Sequence, residues 1–196
     1  PRVASLEGPG ADAARDYYRI MAGPWDRLAD HEPFIGSEPR PEGAGFYPED
    51  LSRAELETWL EAHPEDREAF TALHTVIRRD GDRLVAVPYS AAYAEPLTRA
   101  AEALRAAAAA TDNGSLKRFL NLRAAAFADD DYFASDMAWM DLDSAIEVVI
   151  GPYETYEDSL YGYKAAFEAF VCVVNPEDSA RLEVFKGELP FLERNL

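Results

Sequence analysis

Hydrophobic spacing divides the chain into alternating helical and β-like segments. Residues 11–22 place Tyr17, Tyr18 and Met21 at helical spacing, and Gly23–Pro24 ends that helix. Residues 23–50 are rich in Pro and Gly and predict an ordered but irregular crossing, anchored by Phe34, Phe46 and Tyr47. Ser52-Arg-Ala-Glu55 has the form of a capping box, and Leu56, Trp59 and Leu60 then share one helix face. His63–Pro64 breaks this helix. Residues 75–79 and 82–87 alternate as strands, with Asp80–Gly81 as a two-residue turn between them. Residues 95–111 predict a helix with Leu97, Ala101, Leu104 and Ala108 on one stripe, and Ser115 is placed to cap the next helix, which runs to about residue 128. Two further apolar runs, 145–150 and 166–174, read as strands, and Asn175–Pro176 starts a last helix reaching about residue 186. This order predicts an α+β chain with a small antiparallel sheet flanked by helices. Residues 1–10 form a loose leader and 11–196 a single domain.

At 196 residues, 48% of them apolar, the chain is long enough for a core without disulfide or metal staples. The single cysteine, Cys172, lies in an apolar run and is expected to be a small buried hydrophobe. Charge changes the picture more. Nineteen basic residues against 37 acidic ones leave a net charge of −18, unsuited to phosphate backbones or anionic membranes and well suited to cationic ligands. Nucleic acid and membrane are therefore not expected partners. The imbalance is local. Residues 124–163 contain no Lys, Arg or His, while Asp129, Asp130, Asp131, Asp136, Asp141, Asp143, Glu147, Glu154, Glu157 and Asp158 all fall there. No apolar run is long enough to span a bilayer. No signal peptide is visible at Pro1, so a cytoplasmic location is expected, or a periplasmic one if such a segment has been removed. The chain starts without Met and stops abruptly, as expected of a fragment or a processed chain.

Common site chemistries find little support. The three histidines, His31, His63 and His74, have no metal-ligand spacing, and Pro33 prevents His31–Glu32 from continuing as a zinc-binding helix. Asp129–Asp131 lacks the spaced oxygens and central Gly of a calcium loop. Neither Gly8-Pro-Gly10 nor Gly43-Ala-Gly45 sits in a strand–helix context that would cradle phosphate. No nucleophile elbow is present. Three carboxylates remain. Glu147 interrupts one strand run and reads equally as the polar face of a half-exposed strand. Glu168 interrupts the other, on a face shared with Phe170, Cys172 and Val174. A charge there is costly unless paired, so Glu168 either takes Lys164 as its partner or lines a cleft. Glu154 lies just past Gly151–Pro152, with Tyr156 two residues on. The two suit an ammonium and a peptide carbonyl, unless the Tyr156 ring packs into the core.

Gly151-Pro-Tyr-Glu-Thr-Tyr-Glu-Asp158 and Phe167-Glu-Ala-Phe-Val-Cys-Val-Val174 resemble the dipeptidyl peptidase III family of zinc metallopeptidases, and its bacterial branch in particular. Gly23-Pro-Trp-Asp-Arg-Leu28, Gly43-Ala-Gly-Phe-Tyr-Pro48 and Ser135-Asp-Met-Ala-Trp-Met-Asp141 extend the resemblance over about residues 15–196. The resemblance implies the non-catalytic lobe of a two-lobed enzyme, a small sheet or partial β-barrel with helices that binds a peptide as an added strand. It implies that Glu154 holds the ammonium of a peptide's free N-terminus, that Tyr156 bonds the peptide backbone, and that Glu168 supports them. Asp141 and Glu147 match family positions as possible supporting residues. The HExxGH motif is absent from this sequence, so the resemblance places zinc and hydrolysis in a lobe beyond these residues. On this reading the chain alone binds but does not cut, and its partners are peptides with a free N-terminus and the zinc-carrying lobe. The alternatives are a free-standing peptide- or cation-binding module, or a proteolytic fragment without separate function.

Overall fold

A computed structural model describes residues 3–195. Helix α1 (Ala11–Met21) leads into two two-residue strands, β1 (Trp25–Asp26) and β2 (Glu32–Pro33), which pair antiparallel. The irregular crossing then buries Phe46 and Tyr47, while Phe34 packs edge-on against Tyr17. Helix α2 (Arg53–Ala62) starts where the capping box places it, with Ser52 accepting a hydrogen bond from the Glu55 amide at 3.1 Å. A 3-10 turn (Pro64–Asp66) and α3 (Arg67–Thr71) precede the hairpin of β3 (Thr75–Asp80) and β4 (Arg83–Pro88). Asp80 pairs with Arg83, so the turn is Gly81–Asp82, one residue later than the sequence spacing indicates. Gly81, at φ +59°, supplies the left-handed conformation that the turn needs.

Helix α4 (Tyr89–Ala92) and α5 (Ala94–Ala110) come next, and α5 buries the expected stripe of Leu97, Ala101, Leu104 and Ala108. The cap of α6 (Gly114–Ala126) is Asn113, which accepts from the Leu116 amide at 2.9 Å. Ser115 instead ties the helix start to Asp143. The acidic stretch contains a helix that the interleaved aromatics concealed, α7 (Phe133–Met140). The last elements are β5 (Ile146–Glu154), β6 (Ala166–Val173) and α8 (Pro176–Asn195).

Two apolar cores hold the body together. One joins α5, α6 and α7 and receives Val148, Ile150 and Phe167 from the β5–β6 ribbon. The other joins α2, α3, the β3–β4 hairpin and Leu160. Tyr93 and Phe167 pack against both. Each of the three sheets has two strands, so the described residues form an α+β fold with no closed barrel.

The register of the β5–β6 ribbon decides which carboxylates share a face. Gly151 faces Glu168 and Pro152 faces Phe167, but Glu154 faces Ala166, so Tyr153 is an extra, bulged residue. A one-residue shift turns every later side chain to the opposite face. The bulge therefore brings Glu154 onto the face that carries Glu168. That face is the open one. Cys172 lies on it opposite Glu147 and is exposed, contrary to the buried role its apolar neighbours suggested, because only the Phe167 side of β6 meets the core. No helix of the described residues is long and apolar enough to cross a membrane.

Candidate functional site: a carboxylate pair at the ribbon

Glu154, Tyr156 and Glu168 line one cleft of about 660 Å³, walled by the ribbon on one side and by residues 20–49 on the other. Across the ribbon Glu154 and Glu168 are diagonal neighbours, and their carboxyl groups are in hydrogen-bond contact. Two carboxyls can bond only by sharing a proton. Accepting from Glu168 first, and from the Tyr156 phenol second, holds Glu154 below the usual carboxylate range. The same contact with Glu154 pushes Glu168 up. Of the two, Glu168 is therefore the one that holds a proton more readily. Tyr156 is 71% exposed and its ring stays out of the core. The nearby Glu154 carboxylate raises the pKa of its phenol.

The cations near this pair are committed elsewhere. Arg27 lowers Glu154 only weakly, through space, because its guanidinium is bonded to Glu157. Arg40 bonds the other Glu157 oxygen at 2.5 Å and the Glu157 carbonyl at 3.1 Å. Lys164, the alternative partner for Glu168, points the other way. It is fully buried and donates to the Phe70 and Ala72 carbonyls and the Thr75 hydroxyl at 2.6, 2.9 and 2.8 Å. Burial lowers its pKa to about 8, against a weaker upward pull from Asp158. Among the described residues, neither Glu154 nor Glu168 forms an ion pair.

The loop after β5 is held by Asp158, a buried residue that accepts the Tyr47 hydroxyl at 2.8 Å and the amides of Leu160, Tyr161, Tyr163 and Lys164. This carboxylate and the buried Glu157 fix the chain immediately after Tyr156. In the sequence they merge with the general acidic excess. Their signal is weak, because only the fold shows that Arg27 and Arg40 reach Glu157.

The two other candidates stand apart from the pair. Asp141 ends α7, is exposed, and pairs with Arg118 at 3.2 Å. Glu147 sits opposite Cys172, beyond the Val149–Phe170 and Gly151–Glu168 pairs, in the half-exposed strand position that was its alternative reading. Neither lines the cleft.

Arg123 was not foreseen. It is 1% exposed on α6 and bonds Asp136 at 2.5 Å, to which Tyr153 also donates at 2.6 Å. The rings of Phe119, Tyr132 and Tyr153 surround the guanidinium at 5.2–5.4 Å, a cation–π setting for its Nε and Nη1, which lack hydrogen-bond partners. A readable signal existed. Arg123 lies on the stripe of Leu116, Phe119, Leu120 and Phe127, where a helix otherwise keeps apolar residues. With Asp136, Tyr153 and Glu168 it lines a second, apolar hollow of about 330 Å³.

The histidines do not form a metal centre. His31 lines the cleft, His63 faces Glu65 at 3.6 Å, and His74 packs on Tyr89 and Tyr132. Burial lowers the pKa of His74. Among the described residues, no three or more His, Cys, Asp or Glu side chains gather to hold a metal ion.

Comparison with known proteins gives this geometry a context. The chain is similar to a dipeptidyl peptidase III structure from Caldithrix abyssi, with 55% identity and a TM-score of 0.92, covering 100% of this chain and 37% of that one. It is similar to dipeptidyl-peptidase III from Corallococcus sp. strain EGB at 43% identity and a TM-score of 0.87, covering 99% of this chain and 37% of that one. A curated relative, Nudix hydrolase 3 of Arabidopsis thaliana, is 32% identical over 231 residues, 92% of this chain and 30% of the relative. The chain thus spans 30–37% of the length of these relatives. The model of peptidase family M49 matches residues 54–189. The chain belongs to peptidase family M49, the dipeptidyl peptidase III family.

Proposed function

We propose that this chain is the peptide-gripping part of a dipeptidyl peptidase III-type enzyme and holds the free N-terminus of its substrate. The observation that carries the reading is the Glu154–Glu168 pair, two carboxyls in contact on one ribbon face that form no ion pair among the described residues. An α-ammonium offers three donors and one positive charge. Placed between the two carboxyls it takes the place of a shared proton and forms two charge-assisted bonds. Tyr156 then offers its phenol to the first peptide carbonyl. The open edges of the two-stranded ribbon suit a peptide laid alongside as a further strand. Anchoring the terminus also sets the length of the product. Two extended residues span about 7 Å, so a reacting centre at that distance from the pair releases dipeptides.

Zinc is the metal of this family, and the residues described here do not fit it. We assign the metal and the hydrolytic step to the part of the family's longer chain that these 196 residues do not span. Calorimetry tests the grip. A short peptide should bind at least tenfold more tightly with a free N-terminus than with an acetylated one, and Glu154→Gln should remove the difference. Equal affinity for the two peptides overturns the reading. A free-standing binding module descended from the same lobe passes this test but gives no activity when joined to a zinc-bearing remainder.

A further inference from the structure

Arg123, Asp136 and Tyr153 form a contact that stability alone does not explain. Arg123 stands in the buried stripe of α6 with its Nε and Nη1 unpartnered, at a position where an apolar side chain of similar volume would cost less. Its partner Asp136, on α7, stays half-exposed. Asp136 Oδ1 accepts from Arg123 Nη2 at 2.5 Å and from the Tyr153 phenol at 2.6 Å. The Tyr153 ring also lies 5.2 Å from the guanidinium carbon. The residue held in both ways is the bulged one, between the Pro152–Phe167 and Glu154–Ala166 pairs. Two pairings of β5 compete at this point. With Tyr153 as the extra residue, Glu154 lies on the face of Glu168. With Tyr153 paired opposite Ala166, Glu154 turns to the Phe167 face, which packs on the core. Fixing one register against another is the best-attested use of a buried ionic contact.

We propose that Arg123, Asp136 and Tyr153 are positioning residues for the peptide grip, which hold the bulge in place and so keep Glu154 beside Glu168. This role rests on the proposed binding of a peptide's free N-terminus. None of the three lines the cleft shared by Glu154, Tyr156 and Glu168, so they act through the ribbon backbone and not on the peptide. The path is short. Tyr153 directly precedes Glu154, and Gly151, whose backbone lies against Arg123 Nη1, faces Glu168. Burial first, and the bond to Asp136 second, raise the pKa of the Tyr153 phenol, so it remains a donor throughout the pH range in which the two glutamates titrate.

Tyr153→Phe tests the lock, because it keeps the ring and removes the bond to Asp136. Cross-strand NOEs between Glu154 and Ala166 should give way to contacts of position 153 with Ala166. Carboxyl titration by NMR should show the Glu168 pKa returning towards the ordinary range and the Glu154 pKa rising. Affinity for a short peptide with a free N-terminus should fall about tenfold, while affinity for its acetylated form stays the same. Tyr153→Ala also removes the contact with the guanidinium and should lose more. Asn113→Ala is the control. It removes the cap of α6 and should lower the Tm without changing the carboxyl titration or the affinity. Parent-like titration and NOEs in both Tyr153 variants overturn the proposal. So does a lowered Tm with the two carboxyls still coupled, since the contact would then serve stability alone. A parent chain that binds free and acetylated peptides equally overturns the N-terminus reading instead, and the titration and NOEs still decide the lock.

Discussion

Adding one methyl group at Gly151 tests how the ribbon is locked to the body. A Cβ built there lies 2.6 Å from Arg123 Nη1 and 2.7 and 2.9 Å from two atoms of the Tyr153 ring. Ordinary contacts would need close to 1 Å more on both sides. Arg123 has little room to give. It is buried, bonded to Asp136, and enclosed by three rings. Tyr153 is tied to the same carboxylate. Overpacking of this kind costs roughly 1–3 kcal/mol, and loosening a buried charge from its partner adds to that. Gly151→Ala should therefore lose about 2–4 kcal/mol of unfolding free energy in urea. Gly114→Ala is the control. It starts a helix with no atom within 4 Å of the new Cβ, and should be neutral or gain up to about 1 kcal/mol.

The same substitution has a second readout. Gly151 is the register partner of Glu168, so a displaced β5 separates the two carboxyls. Carboxyl titration by NMR should then show the Glu168 pKa returning towards the ordinary range and the Glu154 pKa rising. Gly151→Ala within about 0.5 kcal/mol of the parent, with the pair still coupled, refutes the locking argument.

Lys164 predicts a pH dependence. Its folded pKa, about 8, lies below that of the unfolded chain, so above pH 8 the unfolded state binds more protons and stability rises with pH. The gain should reach about 1 kcal/mol by pH 9, measured by urea unfolding, and flat stability there refutes it. Peptide binding should weaken as the pH falls through the raised range of Glu168, because the ammonium must displace the shared proton. Calorimetry from about pH 7.5 down to pH 5 checks this, and Glu168→Gln should flatten the profile. The isolated chain should release no chromophore from a dipeptidyl chromogenic amide with added zinc, whereas a chimera that carries it in place of its counterpart in the full-length Caldithrix abyssi protein should. Zinc-dependent release by the chain alone refutes the division of labour.

Local patterns were legible where one face of an element alone meets the core. The α5 stripe and the Ser52 cap come directly from spacing, since propensity, capping and burial agree there. Helix α7 was hidden because its aromatic and sulfur-bearing residues stand on more than one side. Phe133 and Met140 are exposed while Ala138 is buried, so no clean period appears. The β5 bulge was not legible either. Nothing in Gly-Pro-Tyr-Glu announces an extra residue, and reading β5 as a regular strand puts Glu154 on the wrong face.

Glu168 lines the cleft, but not because its strand run is buried. A carboxylate within Ala-Ala-Phe-x-Ala-Phe-Val looked costly, as if the run were buried. Its face is open, however. Phe170 is 56% exposed beside it, Cys172 is exposed beyond, and burial is only the second cause of the Glu168 shift, after its contact with Glu154. A glutamate on a solvated strand face costs little. The costly residues are the apolar ones that surround it in sequence, Phe170, Val171 and Val173, and then Leu182, Phe185, Leu189, Phe191 and Leu192 of α8. A sequence run shows that a surface is apolar, but not whether this chain or another covers it. From residue 170 onward the two answers diverge. The carboxylate pair sits where the ribbon still packs on its own core at Val148, Ile150 and Phe167. The apolar surface beyond it has no core of its own to meet. The carboxylate pair therefore stands where the packed part of the ribbon gives way to open apolar surface.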